Sequence, residues 1–329
     1  MAGRRIFLIG CGEIGSRHLQ ALVGLENVSQ ITIIDKNEDS LKLGQLRLNE
    51  CRSVNKSIRF QWLKNITKEC QGGDLCIVAT QAQGRCALIK NIAENYQCRY
   101  FLIEKIVAQS IPEYSDLKVF SSDHDLKIWV NCKNRAYAVH KFIKSRLVAG
   151  EPIYFSDCGG NQGLANNGVH AADLFVYYDN ATSLKGEVCR IDPILHPSKR
   201  GKDIFDLSGT LHVSSEKGNS CVISFAQGRI DPDVLTIITP RHRFVVDHLK
   251  KFAYQSSHET DWQWKPFPME ENVFISHMTT QFAHDILTKG TCDLPTLEEC
   301  YPAHKFILET LLPHFNRLMK TNNDFCPVT

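Results

Sequence analysis

The segment Gly10-Cys11-Gly12-Glu13-Ile14-Gly15 sets three glycines at the spacing of a phosphate-binding turn, directly after the apolar run Ile6-Phe7-Leu8-Ile9. In that spacing Gly10 permits the tight turn, Gly12 lets a pyrophosphate approach the backbone, and Gly15 lets a helix pack closely on the sheet. The helix that begins there offers unpaired N–H groups and a positive dipole end to phosphates. Asp35 follows Gly15 by 20 residues, at the end of the next apolar run. Its carboxylate would accept hydrogen bonds from the adenosine ribose hydroxyls and repel a 2′-phosphate. The expected cofactor is therefore NAD, with NADP less favoured, although Lys36 beside the acid offers a phosphate a cation. A bare glycine turn is the minority reading, and nothing else in the chain supports FAD or a methyl donor. Cys11 would face the cofactor and reads as loop filler rather than as a nucleophile.

Other reactive residue types lack the spacing that their chemistry requires. The 13 cysteines form no CxxC pair, so zinc and thioredoxin-like sites are not expected. An odd number of thiols, several within apolar runs, fits reduced cysteines in a cytoplasmic protein. His242, His248, His277 and His284 show no ligand spacing, and no metal is expected. A formal charge of +2 with dispersed charges gives no case for a nucleic-acid or membrane-surface partner, and Lys199-Arg200-Gly201-Lys202 reads as a solvated loop. No apolar run approaches the roughly 20 residues needed to cross a bilayer. The first strand begins too early for a cleavable signal peptide to precede it.

The elements that must position the loop alternate in type. Arg5–Ile9, Gln30–Asp35, Asp74–Thr80 and Arg99–Glu104 read as strands. Helices are expected from Ile14 to Leu25, over Ser40–Cys51 and around Gly84–Glu94. Runs such as Leu75-Cys76-Ile77-Val78-Ala79 suit parallel strands covered on both faces, which implies a doubly wound Rossmann sheet. Lys127–Cys132 reads as a last strand near a domain junction. Beyond it come a helix (Ala136–Leu147), a strand (Pro152–Cys158) and a helix from about Gly168 to Tyr178. Strand-like stretches follow at Glu187–Ile191, Leu207–Ser214, Ser220–Ala226, Leu235–Ile238 and Arg243–Asp247, with closing helices near Val273–Lys289 and Thr296–Lys320. The expected fold class is α/β, with a Rossmann domain over 1–125 and an α+β domain with a large, mostly antiparallel sheet over 126–329. An uncovered face on such a sheet invites a second copy of the chain, so a homo-oligomer is expected.

Four motifs, in order, resemble those of the Gfo/Idh/MocA oxidoreductases. Gly10 to Gly15 followed by His18 and Ala21-Leu22 is similar to the family's GxGxxGxxHxxAL opening. Asp74-Leu75-Cys76-Ile77-Val78-Ala79-Thr80 resembles its fourth strand with a threonine on the nicotinamide side. Phe101-Leu102-Ile103-Glu104-Lys105 resembles its Glu-Lys-Pro signature, and Gly168-Val169-His170-Ala171-Ala172-Asp173 its His-x-x-Asp helix start. The resemblance implies an NAD(P)-dependent dehydrogenase or reductase of a sugar-like, polyhydroxylated substrate. Its second domain would hold the substrate and often the oligomer interface. It further implies that Lys105 hydrogen-bonds the reacting hydroxyl and that His170 takes or returns its proton. Thr80 and Glu104 would lie on the cofactor side, with Asn166 and Asp173 near the substrate. That pairing is chemically apt, since a base of near-neutral pKa and a cation beside the developing alkoxide both lower the barrier.

The chain departs from the family pattern at three positions. Ile106 replaces the proline after Glu104-Lys105, Asn166 replaces an acid four residues before the histidine, and Arg85 stands where many members carry histidine. These departures leave room for a second reading, a non-catalytic NAD(P)-binding sensor or regulator, against which the retention of both Lys105 and His170 counts. A tyrosine among Tyr177 and Tyr178 is a further candidate proton donor. Asp173 reads equally as a substrate contact or as a partner that orients a neighbour. Asn161, Gln162 and Asn167 form a polar group that could grip hydroxyls or be a plain turn.

Overall fold

The computed structural model describes residues 3–68, 70–160, 162–228, 231–269 and 273–329. Strands β1 (Arg4–Ile9), β2 (Val28–Ile34), β3 (Arg59–Leu63), β4 (Leu75–Val78), β5 (Tyr100–Ile103) and β6 (Lys127–Val130) form one parallel sheet in the order β3-β2-β1-β4-β5-β6. Every residue of β4 is buried, as helices on both faces require. Between the strands run α1 (Gly15–Leu22), α2 (Glu38–Asn49), α3 (Arg85–Tyr96) and α4 (Ile111–Asp123). The start of α2 is set locally. Asn37 Oδ1 accepts from Asp39 N at 2.8 Å, and Glu38 and Asp39 sit in the first turn, where the helix dipole favours acids.

After β6 come α5 (Ala138–Arg146), β7 (Tyr154–Gly160), α6 (Leu164–Asp179) and β8 (Leu184–Ile191). A two-residue pair, β9 (His196–Pro197) with β10 (Phe205–Asp206), precedes β11 (Gly209–Ser215), β12 (Ser220–Ala226), β13 (Val234–Ile238), β14 (His242–Asp247), β15 (Phe252–Ser257) and β16 (Lys265–Pro266). The second sheet runs β16-β15-β14-β13-β7-β12-β11-β8 and is antiparallel except where β7 meets β12. Along β12 the residues Cys221, Ile223 and Phe225 are buried and their neighbours are not, the period-2 pattern of a sheet with one covered face. Tyr154, Val188, Ile238 and Tyr254 are exposed, and the strand register puts them together on the opposite face. Helices α7 (Ile275–Lys289) and α8 (Leu297–Met319) close the chain. No helix of the described residues is long and apolar enough to cross a membrane.

The chain divides into two compact units. One comprises Met1–Ala108, Pro112–Asn131 and Asn272–Leu297, and the other Gln109–Ile111, Cys132–Glu271 and Glu298–Thr329. A single boundary at 125/126 therefore differs from the observed division, since β6 completes the first sheet and α7 returns to that unit. α7 buries Phe282, Ala283 and Ile286, and two of its hydroxyls bond to α1. Thr280 Oγ1 donates to Ala21 O at 2.7 Å, and Thr279 Oγ1 lies 2.8 Å from His18 Nδ1. Six elements escape the sequence reading: β3, a half-buried edge strand without an apolar run, the helix α4, β15, and the two-residue strands β9, β10 and β16.

Within the second unit, His140 meets His248 through their Nε2 atoms at 2.9 Å and Tyr178 through Nδ1 at 2.5 Å. Burial, followed by the charge of Lys133, pushes His248 down to about 4. Burial likewise holds His140 well below its usual value. Both imidazoles are neutral in the fold, so a proton taken up below the ordinary value of 6.5 favours the unfolded chain. Stability is thus expected to be full above pH 6.5 and to fall toward pH 4, with His248 alone contributing on the order of 3 kcal/mol. Urea midpoints measured across that range, with His248→Gln flattening the slope, check this.

Candidate functional site

In the first unit the carboxyl ends of four adjacent strands carry the residues singled out from sequence. The glycine loop follows β1, Asp35 follows β2, Thr80 lies just beyond β4, and Lys105 lies just beyond β5. Gly10 has φ +85°, and a Cβ there would sit 2.8 Å from Ala79 C and O. At Gly15 the constraint is harder, since a Cβ would come 1.9 Å from Gly10 O. Gly12 differs. A Cβ there meets nothing nearer than Ser40 Oγ at 3.9 Å, so its backbone borders open space of the kind a pyrophosphate fills. Ile14, the residue before α1, gives no side-chain cap, and Ser16 N already donates to Gly12 O at 3.0 Å. The loop therefore fits a dinucleotide.

Asp35 Oδ2 accepts from Cys11 N at 2.7 Å, and its Oδ1 accepts from Asn37 N at 2.8 Å, so the acid is aimed by the loop it serves. Glu13 turns outward to pair with Arg47, whose Nη1 also donates to Glu13 O and Ser16 Oγ at 2.6 Å each. One expectation needs correcting. The Cys11 side chain does not face the loop opening. It is 0% exposed and packs against Gly44, where an added Cβ would lie 2.3 Å from its Sγ. Burial, then the Asp35 charge, pushes the Cys11 thiol up to about 12, which rules out a resting thiolate.

Glu104 and Lys105 occupy a buried polar turn. Glu104 Oε1 accepts from Asn131 Nδ2 at 2.6 Å and lies 2.9 Å from His18 Nε2, whose other nitrogen meets Thr279. Burial opposes ionisation of Glu104, yet the bonds from His18 and Asn131 and the Lys105 charge outweigh it and hold the carboxyl below its usual value. Lys105 is only 7% exposed, and the peptide joining it to Ile106 is cis. Arg85, 1% exposed at the start of α3, spans this turn. Its Nη1 donates to Glu104 O at 2.5 Å and to Ile106 O, and its Nη2 donates to Thr80 O. Burial pulls the guanidinium down to about 10 while the Glu104 charge opposes this, so Arg85 remains a cation at neutral pH. The residue read only as a departure is thus the clamp between the ends of β4 and β5.

In the second unit α6 carries His170, Asn166 and Asp173. The helix begins at Leu164, earlier than its sequence suggests, because its cap comes from β10. Asp206 Oδ1 accepts from Ala165 N at 2.7 Å, and its Oδ2 accepts from Asn166 Nδ2 at 2.7 Å. Gly163 leaves room for that carboxylate, since a Cβ would stand 2.1 Å from Asp206 Oδ2. Asn166 is buried, with Nδ2 also donating to Phe205 O at 3.1 Å and Oδ1 accepting from Thr329 N at 2.8 Å. Asp173 is 1% exposed, and Arg135 holds both its oxygens, from Nε and Nη2, at 2.7 Å each. Of the two readings of Asp173, this geometry is that of an orienting partner. Its buried pair fixes the segment after β6 against α6. His170, half-buried, follows Asn166 by one helical turn. Tyr178 is buried with its hydroxyl on His140, which does not suit it to proton donation toward a substrate. Asn167 Nδ2 donates to Gln162 O, and Gln162 Nε2 to Asp233 Oδ1 at 2.8 Å, which favours the turn reading, while Asn161 lies outside the described residues.

Comparison with other proteins bears on the fold. No family model and no curated protein sequence matches the chain. Among solved structures, an oxidoreductase from Agrobacterium radiobacter in complex with NAD+, L-tartaric acid and magnesium superposes with TM-score 0.70 at 14% identity, covering 93% of this chain and 94% of that one. A UDP-N-acetylglucosamine 3-dehydrogenase from Acidithiobacillus ferrooxidans matches with TM-score 0.70 at 14% identity over 95% of this chain and 97% of its own. A 3-ketoreductase from Actinomadura kijaniata, in complex with TDP-benzene and NADP, matches with TM-score 0.69 at 13% identity over 93% and 96%. At such identities the likeness is one of fold, a parallel Rossmann sheet joined to a large mostly antiparallel sheet.

Proposed function

We propose that this chain is an NAD(P)-dependent oxidoreductase of the Gfo/Idh/MocA type that interconverts a carbinol and a carbonyl on a sugar-like substrate. The observation that carries this reading is the alignment of the glycine loop, Asp35, Thr80 and Lys105 at the carboxyl ends of four neighbouring parallel strands, where open α/β sheets bind ligands. The similar solved structures support it, being oxidoreductases, two of them with nicotinamide cofactors and one of them a UDP-N-acetylglucosamine 3-dehydrogenase.

Gly10 to Gly15 would hold the pyrophosphate and Asp35 the adenosine ribose. A bound nicotinamide supplies or accepts the hydride. The chain's own residues manage charge and protons. Lys105, withdrawn from water on a turn clamped by Arg85, holds the substrate oxygen through its ammonium and stabilises negative charge there. His170 removes the hydroxyl proton in oxidation or returns it in reduction. The exposed Tyr154, Val188, Ile238 and Tyr254 on the open face of the second sheet support a homo-oligomer.

Asp35→Ala is expected to raise the Kd for NAD about tenfold or more, the loss of a charge-assisted bond of roughly 1.5–3 kcal/mol, and to narrow its preference over NADP. Nucleotide titration by fluorescence checks this, and an unchanged NAD/NADP ratio would remove Asp35 from cofactor selection.

A further inference from the structure

Cys132, Asp173 and Cys300 converge inside the second unit. Cys132 follows β6 and precedes a short helical turn at Lys133–Ala136, Asp173 lies on α6, and Cys300 sits in the first turn of α8. Their two Sγ atoms and a carboxylate oxygen all lie within 4.8 Å of one another, and none of the three residues is more than 1% exposed. Cys300 Sγ donates to Asp173 Oδ1 at 3.3 Å. Sequence spacing hides the group, because Cys300 and Asp173 stand 127 residues apart and no CxxC pair announces the thiols. Arg135 fixes the frame. It grips Asp173 from Nε and Nη2 at 2.7 Å each, and Nη2 also donates at 3.0 Å to the carbonyl of Glu299, the neighbour of Cys300.

Two thiols and a carboxylate at these separations match the ligand set of a thiophilic divalent ion. Zinc takes thiolate at about 2.3 Å and carboxylate at about 2.0 Å, so a tetrahedral sulfur–oxygen edge spans about 3.5 Å and a sulfur–sulfur edge about 3.8 Å. The 3.3 Å from Cys300 Sγ to Asp173 Oδ1 is already close to the first of these. Charge closes as well. With both thiols protonated, the Arg135 cation balances the Asp173 anion. When Zn2+ enters, both thiol protons leave to solvent. The ion, two thiolates, the carboxylate and the guanidinium again sum to zero, so neither state buries an unbalanced charge. Asp173 keeps Arg135 throughout, since a carboxylate oxygen has two lone pairs and the ion takes the one that the Cys300 S–H now occupies. A disulfide between the two thiols would leave the carboxylate without a part, whereas the ion engages all three side chains. Among the described residues no fourth cysteine, histidine or acid joins the group, so a water would complete the shell.

We propose that Cys132, Asp173 and Cys300 bind one zinc ion, which ties α6 and the start of α8 to the segment after β6. The site stands apart from the oxidoreductase reading and is tested without any activity assay. The full chain, kept reduced with a phosphine, is equilibrated with Zn2+ and desalted in a weak chelator that strips surface-bound ion, and its metal content is then measured. The wild type is expected to retain about one equivalent, and the double variant Cys132→Ala with Cys300→Ala less than about a tenth of one. Co2+ in place of Zn2+ reports the ligands, with a thiolate-to-cobalt charge-transfer band expected in the wild type and absent from the double variant. Zinc should also raise the urea midpoint of the wild type and leave that of the double variant unchanged, as an ion bound only by the folded chain requires. Wild type that retains less than about a tenth of an equivalent, or a full cobalt band in a folded double variant, would overturn the site. If the double variant does not fold, the quadruple variant Cys51→Ser, Cys158→Ser, Cys189→Ser and Cys292→Ser decides, since it removes the thiols that are not buried. The cobalt band must persist there, and its loss would assign the ion to those thiols instead.

Discussion

Arg85→Met is expected to lower kcat by about 100-fold while leaving the Kd for NADH within about threefold. The guanidinium ties the carbonyls of Thr80, Glu104 and Ile106 into one turn, and Lys105 sits between two of those carbonyls in sequence. Without the clamp, three carbonyls at the sheet edge lose their donor, and the ammonium loses a fixed position. A displacement of about 1 Å at a reacting group is enough for a rate loss of that size. The glycine loop and Asp35 make no contact with Arg85 among the bonds described, so cofactor affinity should survive. Arg85→Lys is expected to rescue little, because one ammonium cannot reproduce a planar fork that reaches three acceptors. Stopped-flow reduction or oxidation of bound cofactor, with parallel nucleotide titration, separates the two effects. Equal loss of affinity and rate would make Arg85 a structural residue of the whole unit rather than a positioning residue for Lys105.

Arg135→Met is expected to destabilise the second unit by about 3–5 kcal/mol, the largest stability effect anticipated for a single side chain here. Its partner Asp173 is 1% exposed, and burial raises the carboxyl despite the guanidinium beside it. Removing the cation leaves a buried acid with only the Cys300 thiol, at 3.3 Å, as a described partner. The double variant Arg135→Met with Asp173→Leu should recover much of the loss, since an apolar pair of similar volume avoids stranding a charge. Urea unfolding of the full chain checks both, and a double variant no more stable than Arg135→Met would contradict the buried-pair account.

The glycine loop was legible because its physics is local. The requirement for Gly10, Gly12 and Gly15 follows from a turn, a strand and a helix start within a few residues, and Asp35 lies at the end of the next strand. The supports of the site were not legible, because each joins distant parts of the chain. Glu104 finds His18 86 residues away, Asp173 finds Arg135 38 residues away, and Asn166 finds Thr329 163 residues away. No short-range pattern announces such pairs. Arg85 was visible as a residue out of place, but its task depended on carbonyls 5, 19 and 21 residues distant. The strand β3 escaped for another reason. Arg59-Phe60-Gln61-Trp62-Leu63 is a half-buried edge, so it lacks the apolar run that betrays a central strand. The return of α7 to the first unit buries Phe282, Ala283 and Ile286 and adds the Thr279 and Thr280 bonds, and an apolar helix face does not itself say which unit it will cover.

The proposed oxidoreductase activity is tested by cofactor turnover across a panel of sugars, inositols and nucleotide sugars, with wild type and Lys105→Ala side by side. Oxidation of NADH or reduction of NAD by the wild type with at least one of them is expected. Lys105→Ala is expected to lose about 100-fold or more in kcat with NADH binding retained, the scale of removing one group that stabilises developing oxyanion charge. Turnover that survives the lysine change unaltered, or tight NADH binding with no hydride transfer to any panel member, would contradict it.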